Sequence, residues 1–484
     1  MTTSSLTSVL IWLPVAGAIA IWVLPLSRYA TGSLAVLVSL AEVGIWIEQA
    51  TRFDFARHGL QFSQDAPWFK DLHVSYHVGE YAFSLWLVGL TVVVMAACIG
   101  YGFWVGRDRP RAYFGLMLFL TGATVGVFVA QDLLLFYAFF EAMLIPLYVL
   151  IGVWGGPGRL GATIKLLIYT MAGSLLMLAA IIVYGLKAGT FDLVDGPTSA
   201  SRWLFLGFML AFLIKAPLFP FHGWLPDAYR EGPPEVTAVL SGVIAKAGTY
   251  GMLRIALTKF PEPSSYYRTA VLALAVGTLV YASVLAFRAP DFRGVVAYSS
   301  MAFSGLITLG LFSGTTLGYD GAVLQMIVHG LVSASLFLLA GTIERRTTTD
   351  QFALLGGMAR GRPALATLLM TVGVISLAVP GSAAFAGEFL VLAGSYQRAW
   401  WWAVIGATGI VLAAMYMLRL ISAVLHAARG SVVRDEALDL RTGELALIVP
   451  LVGILLALSA WPAGISHHSF AGDAPLQAVK GQFR

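Results

Sequence analysis

Residues 212–228 read FLIKAPLFPFHGWLPDA. The first half is apolar enough for lipid, yet it carries Lys215, Pro217 and Pro220. Proline has no amide donor and its ring clashes with the preceding turn, so the segment reads as a helix broken inside a membrane span. Unwound backbone at that depth persists only where protein or a wet cavity surrounds it. A second stretch, LAVPGSAAFAGEFLVL at 377–392, repeats the pattern with Pro380 and Gly381. Two broken spans at a distance are the mark of an inverted-repeat transporter with its sites near the midplane.

Composition supports a membrane setting. Of 484 residues, 58% are hydrophobic and 11% charged, against about 25% charged in soluble proteins. Apolar runs of about 20 residues recur along the chain, apolar on every face, which indicates helices rather than a barrel. The expected fold is an all-α polytopic membrane protein of about 14 transmembrane helices, with two inverted five-helix repeats and two discontinuous helices. The spans fall at 8–26, 31–50, 82–105, 112–130, 132–153, 164–186, 203–221, 235–257, 269–287, 294–313, 320–342, 364–392 (interrupted), 401–425 and 443–462. Residues 1–111 hold spans one to three, 112–257 the first repeat, 258–425 the second, and 426–484 the last span and a tail. The N-terminal apolar run reads as a span rather than a cleaved leader.

Lys and Arg are commoner in the odd-numbered connections, with GRDRPR at 106–111 and ERR at 344–346 the clearest marks. The positive-inside rule then puts both termini on the outer, periplasmic side of a bacterial inner membrane. The single cysteine, Cys98, cannot form an internal disulfide or a thiolate cluster. His467-His468 lacks further ligands and reads as tail, so no metal site is expected. No basic soluble segment offers a nucleic-acid surface. GGPGRLG at 155–161 lacks the Lys-Ser/Thr ending of a phosphate loop and reads as a turn.

Five ionisable residues sit near the middle of their spans: Glu141, Lys215, Lys246, His329 and Glu388. Each costs roughly 2.5–3.5 kcal/mol at the bilayer centre unless it pairs or meets water. The bland reading is pairwise structural glue. Alternating signs spread over five spans make poor glue and a good proton relay. Both mid-membrane cations are Lys, although Arg is the commoner base in the chain; arginine does not release its proton in a protein, whereas a buried lysine can. His222 and Asp227 stand at the membrane edge, as proton uptake groups or as a helix-capping turn.

At this point the residues resemble a known family. FFEAMLIPLYVLIGVWGG, KAPLFPFHGWLPDA, AKAGTYGMLR, DFRGVVAYSS, VHGLVSASLFLLAG and PGSAAFAGEFL follow, in order, the motifs of the antiporter-like membrane subunits of respiratory complex I. The acid in AGEF matches the M-type branch; the L and N types usually carry lysine there. The resemblance implies that Glu141 partners Lys215, that Lys246 and His329 are central relay groups, and that Glu388 is the terminal acid. It implies a proton-translocating NADH–quinone oxidoreductase subunit with no cofactor of its own. FMN and iron–sulfur clusters would lie in partner subunits, and related L- and N-type chains on either side. A multi-subunit Na⁺/H⁺ antiporter, a membrane-bound hydrogenase arm and a non-pumping scaffold remain alternatives. Two departures stand out. AYSSMAFSG puts Phe303 where the family commonly has histidine, and YHVGEYA puts Tyr81 where it often has aspartate.

Overall fold

The computed structural model describes residues 5–57, 59–434 and 438–470; the tail expected beyond 470 lies outside them. The chain begins with α1 (Leu6–Val23) and α2 (Arg28–Arg52), then a hairpin of β1 (Gln61–Phe69) and β2 (Val74–Glu80). Next come α3 (Ala82–Val105), α4 (Pro110–Val129), α5 (Leu133–Ala142), α6 (Leu144–Trp154), α7 (Arg159–Ala188), α8 (Arg202–Lys215) and α9 (Leu225–Glu231). Then follow α10 (Pro234–Lys259), α11 (Pro261–Arg288), α12 (Phe292–Ser313) and α13 (Thr316–Thr347). The chain closes with α14 (Pro363–Ser376), α15 (Ala383–Arg398), α16 (Trp400–His426) and α17 (Thr442–Ala460).

Among the described residues, twelve helices are long and apolar enough to cross a membrane, with α5 and α6 counted together. The two other predicted spans are the two predicted to be broken. α10, α12 and α13 are almost wholly buried by protein, whereas α1, α2 and α17 leave much of their surface free. The helices that carry Lys246 and His329 therefore form the centre.

The connection at 51–81, read from sequence only as a long link, is the antiparallel hairpin β1–β2. His73, at a left-handed φ of 54°, closes its turn. The hairpin is tied down on several sides. Tyr76 Oη lies 2.9 Å from Ser8 Oγ, the Gln131 amide donates to the His77 carbonyl at 2.8 Å, and the His77 ring pairs with Asp192.

Both breaks satisfy their freed backbone groups. After α8, the Leu218 amide reaches the Leu213 carbonyl at 2.9 Å, and Trp224 Nε1 donates to the Ile214 carbonyl at 3.1 Å. The Phe219 amide donates to Thr278 Oγ1 at 3.0 Å. After α14, Gly381 takes φ +95°, a conformation suited to glycine. α15 then restarts with Ser382 Oγ accepting from the Phe385 amide, while Ser459 Oγ of α17 accepts from the Ala383 amide at 3.0 Å. These caps let a helix start and stop inside lipid.

Candidate functional site

Three close crossings between helices bring the mid-membrane groups together. A side chain at Gly248 of α10 would lie 2.7 Å from the Phe212 carbonyl oxygen and the Ala216 amide, so α10 presses against the break beside Lys215. Gly242 of α10 and Gly330 of α13 meet backbone to backbone. Gly387 of α15 packs against the Gln325 side chain of α13. Small residues allow this approach, and the crossings link α8, α10, α13 and α15 in the order Lys215, Lys246, His329, Glu388.

Lys246 and His329 touch. Lys246 Nζ lies 2.9 Å from His329 Nδ1 and donates to the Ser241 carbonyl at 3.0 Å. Both side chains are buried. Residues Leu240–Ile244, one turn before Lys246, form a π-helical turn in which the Ala245 amide bonds the Leu240 carbonyl. Such a turn displaces the regular ladder, and the Ser241 carbonyl faces the lysine instead. A hydroxyl cluster adjoins it: Ser241 Oγ lies 2.8 Å from Ser300 Oγ and 2.5 Å from Ser333 Oγ. Phe303 packs its ring on the His329 ring, centroids 4.7 Å apart, so the position where the family commonly has histidine offers no donor.

Lys215 is held differently. It ends α8, where the helix dipole favours a cation. Its Nζ sits over the Phe140 ring, 4.8 Å from the centroid. Glu141 is the carboxylate whose charge reaches it, yet no ion pair within 4.0 Å joins the two. The Glu141 charge thus acts on Lys215 from a distance, while the group in contact with the ammonium is an aromatic face. α5 stops at Ala142 and α6 restarts at Leu144. Pro146 cannot donate to the Ala142 carbonyl, and this kink leaves Glu141 half-buried rather than on the lysine.

Glu388, buried in α15, has one oxygen with no partner. Gln325 lies one turn from His329; its amide donates to the Ala384 carbonyl at 3.0 Å, while its own oxygen has no partner. The Tyr416 hydroxyl of α16, in electrostatic reach of Glu388, is buried with Ser299 as its polar neighbour. The unpartnered oxygens of Glu388 and Gln325, with the Tyr416 hydroxyl near the carboxyl, make a site for water. Asp227 pairs with Lys165 at 2.5 Å, in the first turn of α9. His222 lies between Phe219 and Tyr281, its Nδ1 buried without a partner. The structure does not bring His222 and Asp227 into contact with Lys215. No group of three or more His, Cys, Asp or Glu fit for a metal occurs among the described residues.

The sequence reading passes over several groups. Gln325, Tyr416 and the serines carry no charge and look like packing residues in a sequence. Glu42 does carry the signal, an acid in mid-span of α2; it is buried and both oxygens lack partners. Glu80, at the end of β2, is also fully buried, with no hydrogen bond of ordinary geometry on either oxygen. Its signal lies in YHVGEYA, where an acid precedes the departing position.

Residues 130–415 match the family described as NADH:quinone oxidoreductase/Mrp antiporter, TM. NADH-quinone oxidoreductase subunit M of Rickettsia prowazekii (strain Madrid E) is 36% identical over 447 residues, covering 91% of this chain and 90% of the relative. The protein of the same name from Rhodobacter capsulatus is 37% identical over 432 residues, 85% and 83% of the two chains. Among solved structures, a chain of respiratory complex I from Thermus thermophilus with bound NADH superposes with a TM-score of 0.89 at 30% identity, covering 98% of this chain and 99% of that one. A chain of the Mrp complex from Dietzia sp. DQ12-45-1b gives 0.88 at 19% identity, covering 99% and 100%, a likeness of fold alone.

Proposed function

This chain belongs to the NADH:quinone oxidoreductase/Mrp antiporter transmembrane family, and on that premise we propose how it works as a proton-translocating membrane-arm subunit. Protons pass along Lys215, Lys246, His329 and Glu388, with Glu141 as the electrostatic partner of Lys215. The observation that carries this reading is the buried Lys246–His329 bond at 2.9 Å. A lysine can donate to an imidazole nitrogen only if that nitrogen offers a lone pair. The pair therefore holds its proton in a bond between two bases, with no carboxylate in contact to fix it on either. A proton arriving at one displaces a proton from the other.

The loosely held Lys215 is the switching end. When a neighbouring subunit draws Glu141 away, Lys215 loses the charge that supports it and releases its proton towards Lys246. Waters beside Gln325 and Tyr416 carry the proton past Phe303 to Glu388. Moving one charge against the membrane potential costs about 2.3 kcal/mol per 100 mV, and that energy comes from redox chemistry in partner subunits, where FMN and iron–sulfur clusters belong. The two five-helix units, 112–257 and 258–425, work as inverted repeats about this line. The chain lies in a bacterial inner membrane with its termini on the outer side, flanked by L- and N-type relatives.

The test is Lys246→Met in the assembled complex, with proton translocation and quinone reduction measured together. Translocation is expected to fail. Normal translocation beside normal quinone reduction would end the relay reading.

A further inference from the structure

Glu80 lies outside the relay described above. Its carboxyl is fully enclosed, with no hydrogen bond of ordinary geometry on either oxygen and only the Gln49 side chain near enough to act on it. Burial without a partner is costly for a charged carboxylate, and burial pushes the Glu80 carboxyl up to about 8, only partly offset by the Gln49 amide beside it. A site that held this acid for packing alone would be as well served by leucine.

The surroundings are polar and open-ended. Gln49 of α2 has an oxygen without a partner, while its nitrogen donates to Thr7 Oγ1 at 3.1 Å. Ser84 of α3 is buried, with the Tyr250 hydroxyl as its polar neighbour. The Tyr250 hydroxyl of α10 donates to the Phe128 carbonyl at 2.8 Å and interacts with both Ser84 and Glu80. Tyr250 is four residues from Lys246 on the same helix, hence on the same face one turn away. Arg254, whose charge reaches Tyr250, is committed to Gln131 at 2.7 Å and lies over the Tyr81 ring. His77, three residues back on β2, is occupied by Asp192. Buried oxygens left short of hydrogen bonds call for water or for a transferable proton.

We propose that Glu80 is a proton-holding residue through which Lys246 exchanges protons with the hairpin side of the membrane, by way of Tyr250 and Ser84. The inference rests on the relay reading for Lys246. The proton leaves the Lys246 ammonium, and each hydroxyl accepts one proton as it gives up its own. The Glu80 carboxylate becomes the neutral acid, and it later loses that proton on the Gln49–Thr7 side. The proton count balances: the internal transfer neutralises Lys246 and Glu80 together, and the proton released on the Gln49–Thr7 side leaves a carboxylate that takes up the next one.

The experiment compares Glu80→Gln, Glu80→Asp, Tyr250→Phe and Lys246→Met in the intact complex reconstituted into phospholipid vesicles. Glu80→Gln is expected to cut proton translocation per quinone reduced about tenfold or more, with Glu80→Asp recovering part of it. In infrared difference spectra at neutral pH, a protonated-carboxyl band present in the parent is expected to vanish in Glu80→Gln. A packing role would move neither the band nor the Asp rescue. Tyr250→Phe removes one hydroxyl from the same route and is expected to lower translocation even where Glu80 variants assemble poorly. Translocation intact in Glu80→Gln and Tyr250→Phe but lost in Lys246→Met overturns this inference and leaves the relay standing. Translocation intact in Lys246→Met overturns the relay itself; a carboxyl band that persists in Glu80→Gln overturns the assignment of the proton to Glu80.

Discussion

At the end of the bundle that carries GRDRPR, Arg107 lies 2.6 Å from Glu235, Arg230 3.0 Å from Asp291, Arg293 2.5 Å from Glu344 and Arg346 2.6 Å from Glu444. At mid-membrane, Lys215, Lys246, His329 and Glu388 are buried and make no ion pair. That end pairs one lysine, Lys165 with Asp227, but otherwise uses arginine, with several donors locked on carboxylates and carbonyls: Arg293 also donates to the carbonyls of Arg230 and Gly232. The middle uses lysine and histidine, held by a carbonyl, an aromatic face and each other. Arginine cannot give up its proton and lysine can. On the proposed function, the difference separates charges that fasten helices from charges that would pass protons on.

The largest effect that tests this contrast is the loss of Lys246. Removing a proton-transferring group typically costs 10²–10⁴-fold, so Lys246→Met is expected to lower translocation about 100-fold or more while the complex still assembles. The opposite outcome, failed assembly with normal pumping in whatever forms, would make Lys246 a fastener like the arginines. Arg293→Met probes the other side. It strands the Glu344 carboxylate and two carbonyls, and breaking a buried pair costs about 3–5 kcal/mol. Thermal stability and assembly are expected to fall, while protons moved per assembled complex stay unchanged. A change in that ratio would erase the distinction between end and middle.

Within the middle, the two lysines differ, and Phe140→Leu sharpens how. The aromatic face under Lys215 is worth up to about 2 kcal/mol when desolvated. Without it Lys215 depends on Glu141 alone, and coupled turnover is expected to fall severalfold, most clearly at high membrane potential. The same substitution is expected to leave the Lys246–His329 bond untouched. Equal damage to both would mean that they are held as one unit.

Much of this was legible in the sequence because lipid penalises exceptions. A lysine and two prolines in FLIKAPLFP, and Pro380-Gly381 ahead of Glu388, stand out against apolar surroundings, so breaks and charges announce themselves. The contacts between them do not. That Lys246 bonds His329 depends on Gly242 and Gly330 crossing in register, which two separate runs of small residues cannot reveal. The separation of Glu141 from Lys215 follows from the kink near Met143, whose direction no local pattern encodes. The hairpin escaped because 51–81 lies outside the spans, where apolar length carries no information.

The smallest effect concerns a paired histidine on the hairpin, His77. Burial disfavours the charge on His77, but its bond to Asp192, with Asp65 and Asp132 nearby, raises its pKa above the ordinary value. Burial likewise opposes the charge on Asp192, but the bond to His77 and the amides of Asp195 and Val194 hold its pKa below the ordinary value. A raised histidine stabilises fully below its unfolded value, about 6.5, and that contribution disappears as pH rises through the raised one. A lowered aspartate stabilises above its unfolded value, about 3.9, and loses that contribution as pH falls through the lowered one. The hairpin is therefore expected to be held most firmly between about pH 4 and 6.5, by roughly 1 kcal/mol. Glu80, three residues along the same strand, titrates too, so the informative quantity is the difference between the parent and His77→Gln. Hydrogen-exchange protection of the β2 amides, corrected for intrinsic rates, should lose its advantage over His77→Gln as pH rises through the raised His77 value. Proton translocation should show no matching change. If translocation followed the His77 titration instead, a fastening charge would be serving as a proton carrier, and the division between the ends of the bundle and its middle would fail at its most accessible point.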